Sequence, residues 1–403
     1  MSKQFIVNGV MSLLIGLSLT TSSAAQTVEY IEPSGGYTQV VTVTDRGVKT
    51  IHVSGQVGQG DDYLAHVESA FAGVVRRLGQ AGATVHDVVK MRAFVKDMTS
   101  DLYGPVAEVR RQTFPEGAWP ASSVVGIQAL AREGLRVEVE VVAVVAEEGV
   151  DLSIERFGPS NGFSGAVAVT AHGVKTVYIS GQVGPGDGLS AQTAAVWERI
   201  GQRLEAAGAS HADLVKTTAY LVNYDRDTHL EAYRDGTPPE VTDLADRPAS
   251  TLLGIPSLAN DSFLVEIDAV AVVGVDDTSI TREFIDPAGS FTQVVTAKGS
   301  GPKTVYISGQ VGRPGDPLAT QADQAYANLR RQLDAAGGSP GDLLKVTIYI
   351  PGYDDADLQV LGPARQKHGF IDAGAPASTL LGIQSLYSSD AAIEVEGVAV
   401  VSQ

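Results

Sequence analysis

The residues of this chain best suited to chemistry are three pairs of acids, each in a short alternating segment. The segments are VEVE at 137–140, VEID at 265–268 and IEVE at 393–396. The first acid of each pair has apolar neighbours and a second acid two positions on, and both features favour a raised carboxyl pKa. Such a group can pass protons to and from water near neutral pH. The first acids of the three pairs are Glu138, Glu266 and Glu394.

Lysines and serines recur at matching positions and open two alternatives to that role. The acids could instead form interface ion pairs with the lysines, and the sequence favours neither interpretation over the other. A lysine beside a serine can also make the hydroxyl nucleophilic, which would suit a cyclic-amide hydrolase. The Ser–Lys pairs would be Lys90 with Ser122, Lys216 with Ser250 and Lys345 with Ser378.

All of these residues recur because the chain contains one unit three times. The segment GVKTIHVSGQVG returns as GVKTVYISGQVG and GPKTVYISGQVG, so that Gly55, Gly181 and Gly309 lie 126 and 128 residues apart. The segments WPASS, RPAST and APAST follow, and an acidic segment closes each copy. The predicted domains are residues 27–148, 152–275 and 281–403.

Each copy predicts strands, a helix, a strand, a second helix and two closing strands. In the second copy the first helix is expected to bury Ala194, Trp197, Ile200 and Leu204 on one stripe. Gly208 is a C-terminal stop signal for that helix. The class predicted is therefore α+β.

The predicted sheet has two unlike faces, because its strands alternate between apolar residues and polar or aromatic ones. One face would carry Lys90 and Phe94 and, from the SGQ strand, His52, Ser54 and Gln56. Aromatic residues and valines beside the charges predict a second packing surface. Sister units would cover it, and three copies in one chain are expected to close into a pseudo-trimer.

Composition excludes several kinds of site and partner. The formal net charge of −18 argues against nucleic acid as a partner. There is no cysteine, so disulfides and thiolate chemistry are excluded. The seven histidines show no ligand spacing, and no dinucleotide or phosphate-binding glycine motif occurs. No metal or cofactor is expected.

The N-terminus reads as a cleavable signal peptide over residues 1–25. Lys3 is followed by an apolar stretch at 10–19 that is too short to span a bilayer. Ser23 and Ala25 are placed for cleavage, which would make Gln26 the first mature residue. We expect a periplasmic or secreted protein with no membrane contact after cleavage.

The SGQV, VVK, PAS and VEVE segments and their counterparts, in this order, resemble the Rid (YjgF-type) family of enamine and imine deaminases. The resemblance covers nearly the whole mature chain three times. It implies three tandem chorismate-mutase-like domains, each a six-stranded sheet with two helices on one face. Members of the family are usually homotrimers with ligand clefts between neighbours, so a single chain with three clefts is implied here.

The resemblance also implies roles for particular residues. The water-activating glutamate corresponds to Glu138, Glu266 and Glu394, and the SGQ glycines would admit a ligand or permit a turn. The family's carboxylate-binding arginine is replaced by serine in all three copies. Arg92 and Arg247 are candidate substitutes, but the sequence favours an ordinary surface position for both. A guanidinium binds a carboxylate through a charged fork that a hydroxyl cannot reproduce. The family's aromatic ligand wall corresponds to Tyr37, Phe163 and Phe291, for which simple packing is the alternative role. The expected substrate-binding set also contains the recurring serines and lysines, namely Ser122, Ser250, Ser378, Lys90, Lys216 and Lys345.

The function expected is hydrolysis of an enamine, imine or related C–N bond in a small metabolite at the interdomain clefts. Without the arginine, standard 2-imino acids are expected to be poor substrates. The alternatives are a non-catalytic module that binds small molecules or proteins and a cyclic-amide hydrolase that uses the Ser–Lys pairs.

Overall fold

The computed structural model describes residues 26–242, 246–371 and 374–402. The predicted signal peptide lies outside these residues. Within them no helix is long and apolar enough to cross a membrane.

The described chain forms three units of the same design, joined by loops at 147–152 and 275–280. The first unit comprises β1 (Thr27–Ser34), β2 (Tyr37–Asp45), β3 (Val48–Val57), α1 (Tyr63–Gln80), β4 (Val88–Lys96), α2 (Ser100–Thr113), β5 (Ala121–Ile127), β6 (Ala129–Leu130) and β7 (Val137–Ala146). The second comprises β8 (Ser153–Ser160), β9 (Phe163–Ala171), β10 (Val174–Gln182), α3 (Leu189–Ala206), β11 (Leu214–Val222), α4 (Arg226–Gly236), α5 (Pro239–Thr242), β12 (Ala249–Ile255) and β13 (Val265–Gly274). The third comprises β14 (Thr281–Ala288), β15 (Phe291–Lys298), β16 (Lys303–Val311), α6 (Leu318–Ala335), β17 (Leu343–Pro351), α7 (Leu358–Lys367), β18 (Ala377–Ile383), β19 (Ser385–Leu386) and β20 (Glu394–Val401).

Six long strands form the sheet of each unit, in the order β1-β2-β3-β7-β4-β5 in the first. All neighbours are antiparallel except β4 and β5, which are parallel. Both helices of a unit pack on the same face of its sheet over an apolar core. The α+β class and the six-stranded, two-helix design are confirmed; α5 and the two-residue strands β6 and β19 are additions to it.

The first helix of the second unit follows its apolar pattern with one exception. Trp197, Ile200 and Leu204 of α3 are buried, as predicted, but Ala194 is exposed. Thr193, one position earlier, and Val196 are buried instead. The chain then leaves α3 through Gly208, whose φ of 74° suits glycine.

Three seams join the units into a ring, and we define each seam by the two units it joins. The backbone carbonyl of the proline in each PAS segment accepts a hydrogen bond from a backbone N–H in the next unit, at 2.9–3.1 Å. These bonds run from Ser164 to Pro120 at the first seam (units 1 and 2), from Thr292 to Pro248 at the second (units 2 and 3) and from Thr38 to Pro376 at the third (units 3 and 1). Within the described chain, the first strand of each unit (β1, β8 and β14) pairs only with the second strand of its own unit. The other 15 long strands form a closed, barrel-like sheet, so the expected pseudo-trimer is confirmed.

A second set of contacts across the seams depends on glycine. The N–H of Gly126 donates to Ser257 of the next unit at 2.9 Å, and the carbonyl of Gly254 accepts from Gln384 at 3.0 Å. A Cβ at Gly254 would overlap the Ser385 side chain. Glycine therefore allows the chain of a neighbouring unit to approach the strand closely.

The sheet faces that carry no helix point into the barrel and are buried. At one end Phe94, Tyr220 and Tyr349, one from each unit, lie in a shared apolar cluster and are at most 1% exposed. A bulge in each SGQ strand changes the predicted alternation. His52 points into the barrel, whereas Gln56 lies against α1, where its Oε1 accepts from Arg77 at 3.2 Å. The expectation that His52 and Gln56 share a face is wrong for that reason.

Candidate functional site

The first acid of each closing pair lies against the glycine of the SGQ segment in its own unit. A Cβ at Gly55, Gly181 or Gly309 would overlap the carboxylate of Glu138, Glu266 or Glu394, respectively. None of these glycines has a positive φ, so the requirement is space rather than backbone conformation. The glycine of SGQ thus creates the niche in which the glutamate sits.

Burial dominates the electrostatics of these three glutamates, which are 3–5% exposed. It raises the pKa of Glu266 and of Glu394 to about 8, and the neighbouring acids Asp268 and Glu396 add to the effect. Burial raises the pKa of Glu138 in the same way. Oε2 of Glu138 and of Glu394 has no hydrogen-bond partner within the described chain. Burial therefore favours the protonated, neutral form of each of these glutamates.

The second acid of each pair, not the first, forms the ion pairs. Each lysine reaches across a seam to the acid of the neighbouring unit, at 2.7–2.8 Å. Arg92 adds contacts to Glu140 at 2.5 Å and to Glu396 at 3.5 Å. The pairs are Lys90 with Asp268, Lys216 with Glu396 and Lys345 with Glu140. The alternative in which the lysines neutralise the first acids is therefore wrong.

Opposing effects act on the ionised members of this cluster. Burial alone would raise the pKa of Glu140, but Arg92 and Lys345 outweigh it and lower that pKa to about 2. Burial lowers the pKa of Lys345, while the contact with Glu140 opposes the shift. Charge pairing holds the cluster together inside the barrel, and its members also act electrostatically on the first acids, Glu138, Glu266 and Glu394.

The predicted Ser–Lys pairs are not formed by the lysines of the second and third units. Nζ of Lys216 donates to Thr251 at 2.8 Å, and Nζ of Lys345 donates to Thr379 at 2.6 Å. The register explains this result, because Lys216 pairs with Ala249 while Ser250 pairs with Thr217. Adjacent strand residues face opposite sides, so the PAS serine lies on the helix side of the sheet, away from the lysine.

At the first seam an arginine from the second helix of unit 1 meets the PAS serine. Arg110, which is 2% exposed, donates to Oγ of Ser122 at 3.1 Å and to the carbonyl of Asn161 at 3.3 Å. Its guanidinium lies 4.9 Å from the ring centre of Phe163. Glu266 of unit 2 lies at the same seam, where its carboxylate accepts the N–H of Val124 in unit 1. This bond and the Arg110 guanidinium partly offset the burial that raises the pKa of Glu266.

At the second seam the equivalent residues line a cavity of about 560 Å³. The N–H of Ser250 donates to Oγ of Ser308 at 2.8 Å, which fixes the PAS strand against the SGQ strand of unit 3. Arg247 donates to the carbonyls of Thr242 and Gly289. Several groups of different chemistry face one space here: Arg234, Arg247, Ser250, Phe291, Gly309 and Glu394.

At the third seam Ser378 and Tyr37 occupy the corresponding places. The N–H of Ser378 donates to Oγ of Ser54 at 2.8 Å, and the Tyr37 hydroxyl accepts from Gln39 at 3.1 Å. Arg365 of α7 donates to the carbonyl of Gly36 at 3.2 Å. Every seam thus has one arginine bonded to the turn before the aromatic residue of the next unit.

These arginines come from different places in their repeats. Arg110 precedes its PAS serine by 12 residues, Arg247 by 3 and Arg365 by 13. Among the possible substitutes, Arg247 is half-buried at the second seam, not on the open surface that the sequence favoured. Arg92 does not lie at a seam, because it lies inside the barrel with Glu140 and Glu396. Arg110 and Arg365 were missed, since they follow no motif that the copies share.

Metal chemistry finds no support among the residues that the structure describes. No group of three or more histidine, aspartate or glutamate side chains is arranged to hold an ion there. The polar side chains found in the second-seam cavity and bonded across the first and third seams include glutamate, hydroxyl groups and arginines, none of which forms such a group as far as the described ranges extend.

Comparison with known proteins gives consistent results. The family model described as endoribonuclease L-PSP matches residues 27–145, 153–273 and 281–401. A 2-iminobutanoate/2-iminopropanoate deaminase of Dermatophagoides farinae is 28% identical over 122 residues, which are 28% of this chain and 88% of that protein. The crystal structure of a YjgF/YER057c/UK114 family member from Mycobacterium tuberculosis is 34% identical and matches 30% of this chain and 100% of its own, with a TM-score of 0.26. A chorismatase crystal structure is 16% identical and matches 78% of this chain and 93% of its own, with a TM-score of 0.46.

Proposed function

Since this chain belongs to the endoribonuclease L-PSP family, with one family domain in each of its three units, we propose that it is a hydrolase that deaminates a small enamine or imine at its seams. The relative named as an imine deaminase supports the reaction class. The observation that carries the proposal is the cavity at the second seam. There a buried, largely neutral Glu394 faces the same space as Ser250, Phe291 and Arg247.

The glutamate would act as the proton donor and acceptor. With a pKa of about 8, roughly nine-tenths of the Glu394 carboxyl groups are protonated at pH 7. The acid gives its proton to the imine nitrogen, or to the β-carbon of an enamine, and becomes a carboxylate. The carboxylate then takes a proton from water as the water oxygen bonds to the imine carbon. Collapse of this carbinolamine breaks the C–N bond and releases ammonia and a carbonyl compound.

An arginine would hold the acidic end of the substrate in place of the residue that PAS lacks. Arg247 is fixed by the carbonyls of Thr242 and Gly289, so its orientation is set before a ligand arrives. A guanidinium has five donors, which leaves capacity for a carboxylate. At the first seam, Nε of buried Arg110 has no partner within the described chain. A clamp supplied by another element thus remains compatible with serine in the motif.

The N-terminal segment bears on where the protein works. We propose that the mature protein works in the periplasm or outside the cell, on a small molecule at the seams and not on nucleic acid. The net charge of −18 supports the last point, because it repels a polyanion.

The test measures ammonia release from 2-iminobutanoate, an uncharged imine and a cyclic amide, above the uncatalysed rate. We expect the chain to accelerate imine hydrolysis, and the triple variant Glu138→Gln, Glu266→Gln, Glu394→Gln to lose that acceleration. Glutamine keeps the shape of the neutral acid but cannot donate the proton. The exposed residue Glu205 gives the matched control, and Glu205→Gln should retain full activity.

Two further measurements separate the parts of the proposal. Activity should fall as the pH rises above 8, because the acid form of the glutamate is lost. Arg247→Gln should raise KM for 2-iminobutanoate more than for the uncharged imine. Activity that survives the triple substitution would refute the glutamate mechanism. Absence of activity on every compound would favour the non-catalytic binding module instead.

A further inference from the structure

A second enclosed space lies inside the barrel, apart from the seams. This axial chamber has a volume of about 180 Å³. Its walls combine cationic side chains with tyrosines and valines, including Lys90, Arg92, Lys216, Lys345, Tyr178 and Tyr306. Such a volume holds several water-sized groups. The lining is typical of a small-ligand site, in which a few polar groups converge within apolar walls.

The chamber adjoins the end of the barrel. A second space of about 160 Å³ shares several of its lining residues and continues past Asp45, Arg46 and His172. The two spaces meet at a ring of threonines, one from each unit: Thr50, Thr176 and Thr304. A small solute could therefore enter from this end, whereas the shared aromatic cluster of Phe94, Tyr220 and Tyr349 closes the other.

The charged groups of the chamber do not balance. Each lysine has one carboxylate of a neighbouring unit as its partner. Arg92 is a fourth cation, and it shares Glu140 and Glu396 with the lysines. The other carboxyl groups that act on these lysines, Glu138 and Glu394, are shifted by burial toward the neutral form. The positions equivalent to Arg92 in the other units are Thr218 and Thr347. One positive charge is thus left over in a buried space, where an uncompensated charge is costly.

A buried polar atom also lacks a partner there. His52 is 7% exposed and lines the chamber, and its Nδ1 makes no hydrogen bond within the described chain. Burial, with a smaller contribution from Lys345, lowers the pKa of His52 to about 4, so the ring is neutral at pH 7. The units that lack this histidine carry Tyr178 and Tyr306 at the same position.

We propose that the axial chamber binds a small organic monocarboxylate, with the carboxylate at the lysines and Arg92 and the alkyl group against the tyrosines and valines. One anionic charge would neutralise the surplus cation. A ligand oxygen or a water bound with it would satisfy His52. Val142, Val270 and Val398 form the apolar part of the wall. The ligand position is distinct from the seam cavity, although Lys345 and Lys216 of the chamber act electrostatically on Glu138 and Glu394.

The experiment uses the full mature chain and titrates butyrate by isothermal calorimetry. Its neutral isostere butyramide and chloride serve as comparison ligands. We expect saturable binding of one butyrate in the chamber and none of butyramide. Binding of chloride alone, or equal binding of butyrate and butyramide, would overturn the proposal.

The residues at equivalent positions in the other two units suggest which substitutions the fold should tolerate. Arg92→Thr installs the residue of the other two units and leaves each lysine with one acid, so the fold should persist. It should weaken butyrate binding roughly tenfold or more, since a charged hydrogen bond and the surplus charge are lost. Arg92→Lys should retain most of the affinity, and the surface variant Arg111→Thr all of it. His52→Tyr should block the chamber sterically.

The triple glutamate-to-glutamine variant separates this site from the seams. It should still bind butyrate in the chamber even though its deaminase activity is lost. Binding that disappears in the triple variant and persists in Arg92→Thr and His52→Tyr would place the carboxylate at the seams and refute the axial site. Thermal unfolding of each variant checks that it is folded.

Discussion

Replacing Glu394 with glutamine should change how the stability of the protein depends on pH. In the folded chain burial holds the pKa of Glu394 at about 8, against 4.5 for the ordinary side chain. A raised carboxyl pKa means that the folded state binds the proton more tightly. The stability this provides is complete below pH 4.5 and is lost as the pH rises through 8. Glutamine has no proton to lose, so the variant escapes that decline.

The size of the effect follows from the shift. A difference of 3.5 between pKa values of 4.5 and 8 corresponds to a change in the free energy of unfolding on the order of 5 kcal/mol. Between pH 5.5 and 7.5 the change should be about 1.4 kcal/mol per pH unit for each such glutamate. Glu394→Gln should therefore gain on the wild type by about 2 to 3 kcal/mol across that interval.

Guanidinium unfolding at pH 5.5, 6.5 and 7.5 gives the necessary free energies. The difference between wild type and Glu394→Gln should grow steadily with pH, while Glu205→Gln should follow the wild type throughout. A constant difference between Glu394→Gln and wild type would mean that Glu394 ionises normally, and the argument for a neutral acid at the second seam would fail.

Three other outcomes are expected. Gly309→Ala should displace the Glu394 carboxylate and lower the free energy of unfolding by about 1–3 kcal/mol in a denaturation experiment. The control Gly104→Ala in α2, with no atom within 4 Å of the new Cβ, should not lower it. Equal losses of stability in the two variants would refute the packing argument. Lys345→Met leaves Glu140 without one of its cations and should lower the free energy of unfolding by about 3–5 kcal/mol at pH 7. The control Lys367→Met, at a 63% exposed side chain, should lower it by less than about 1 kcal/mol. Similar losses in the two variants would contradict the burial of the Lys345–Glu140 pair. Mass spectrometry of protein exported from a bacterial host should show a chain that begins at Gln26, and an intact Met1 would refute the signal peptide.

Sequence reasoning worked where the three copies agree. The repeats predicted the pseudo-trimer, and alternation in the strands placed Lys90 and Phe94 on the inward face, because strand side chains alternate whatever the tertiary context. The same alternation failed for Gln56, since a bulge shifts the SGQ strand by one residue. It also could not show that Ser122 and Lys90 lie on opposite sides of the sheet, because that depends on the register between two strands distant in sequence.

The arginines at the seams could not be predicted for a different reason. Arg110 and Arg365 lie on helices whose lengths and sequences differ among the copies, so no shared motif marks them. Their common feature is a bond to the same turn of the next unit, which only the assembled ring shows. The pairing of lysines with the second acids is equally a property of the ring, because each pair joins two units.

Arg92 shows what linking the copies on a single chain permits. In an assembly of three identical subunits, one gene change places the same side chain at every equivalent position. Three guanidiniums would then crowd together beside the central line of the ring and repel one another within a few ångströms of low-dielectric interior. Covalent fusion removes that restriction, because a single guanidinium can lie between the units while the smaller Thr218 and Thr347 occupy the equivalent positions. The fused chain can thereby have an asymmetric interior, in which the three units carry different side chains at equivalent positions. Three identical subunits related by threefold symmetry cannot have such an interior.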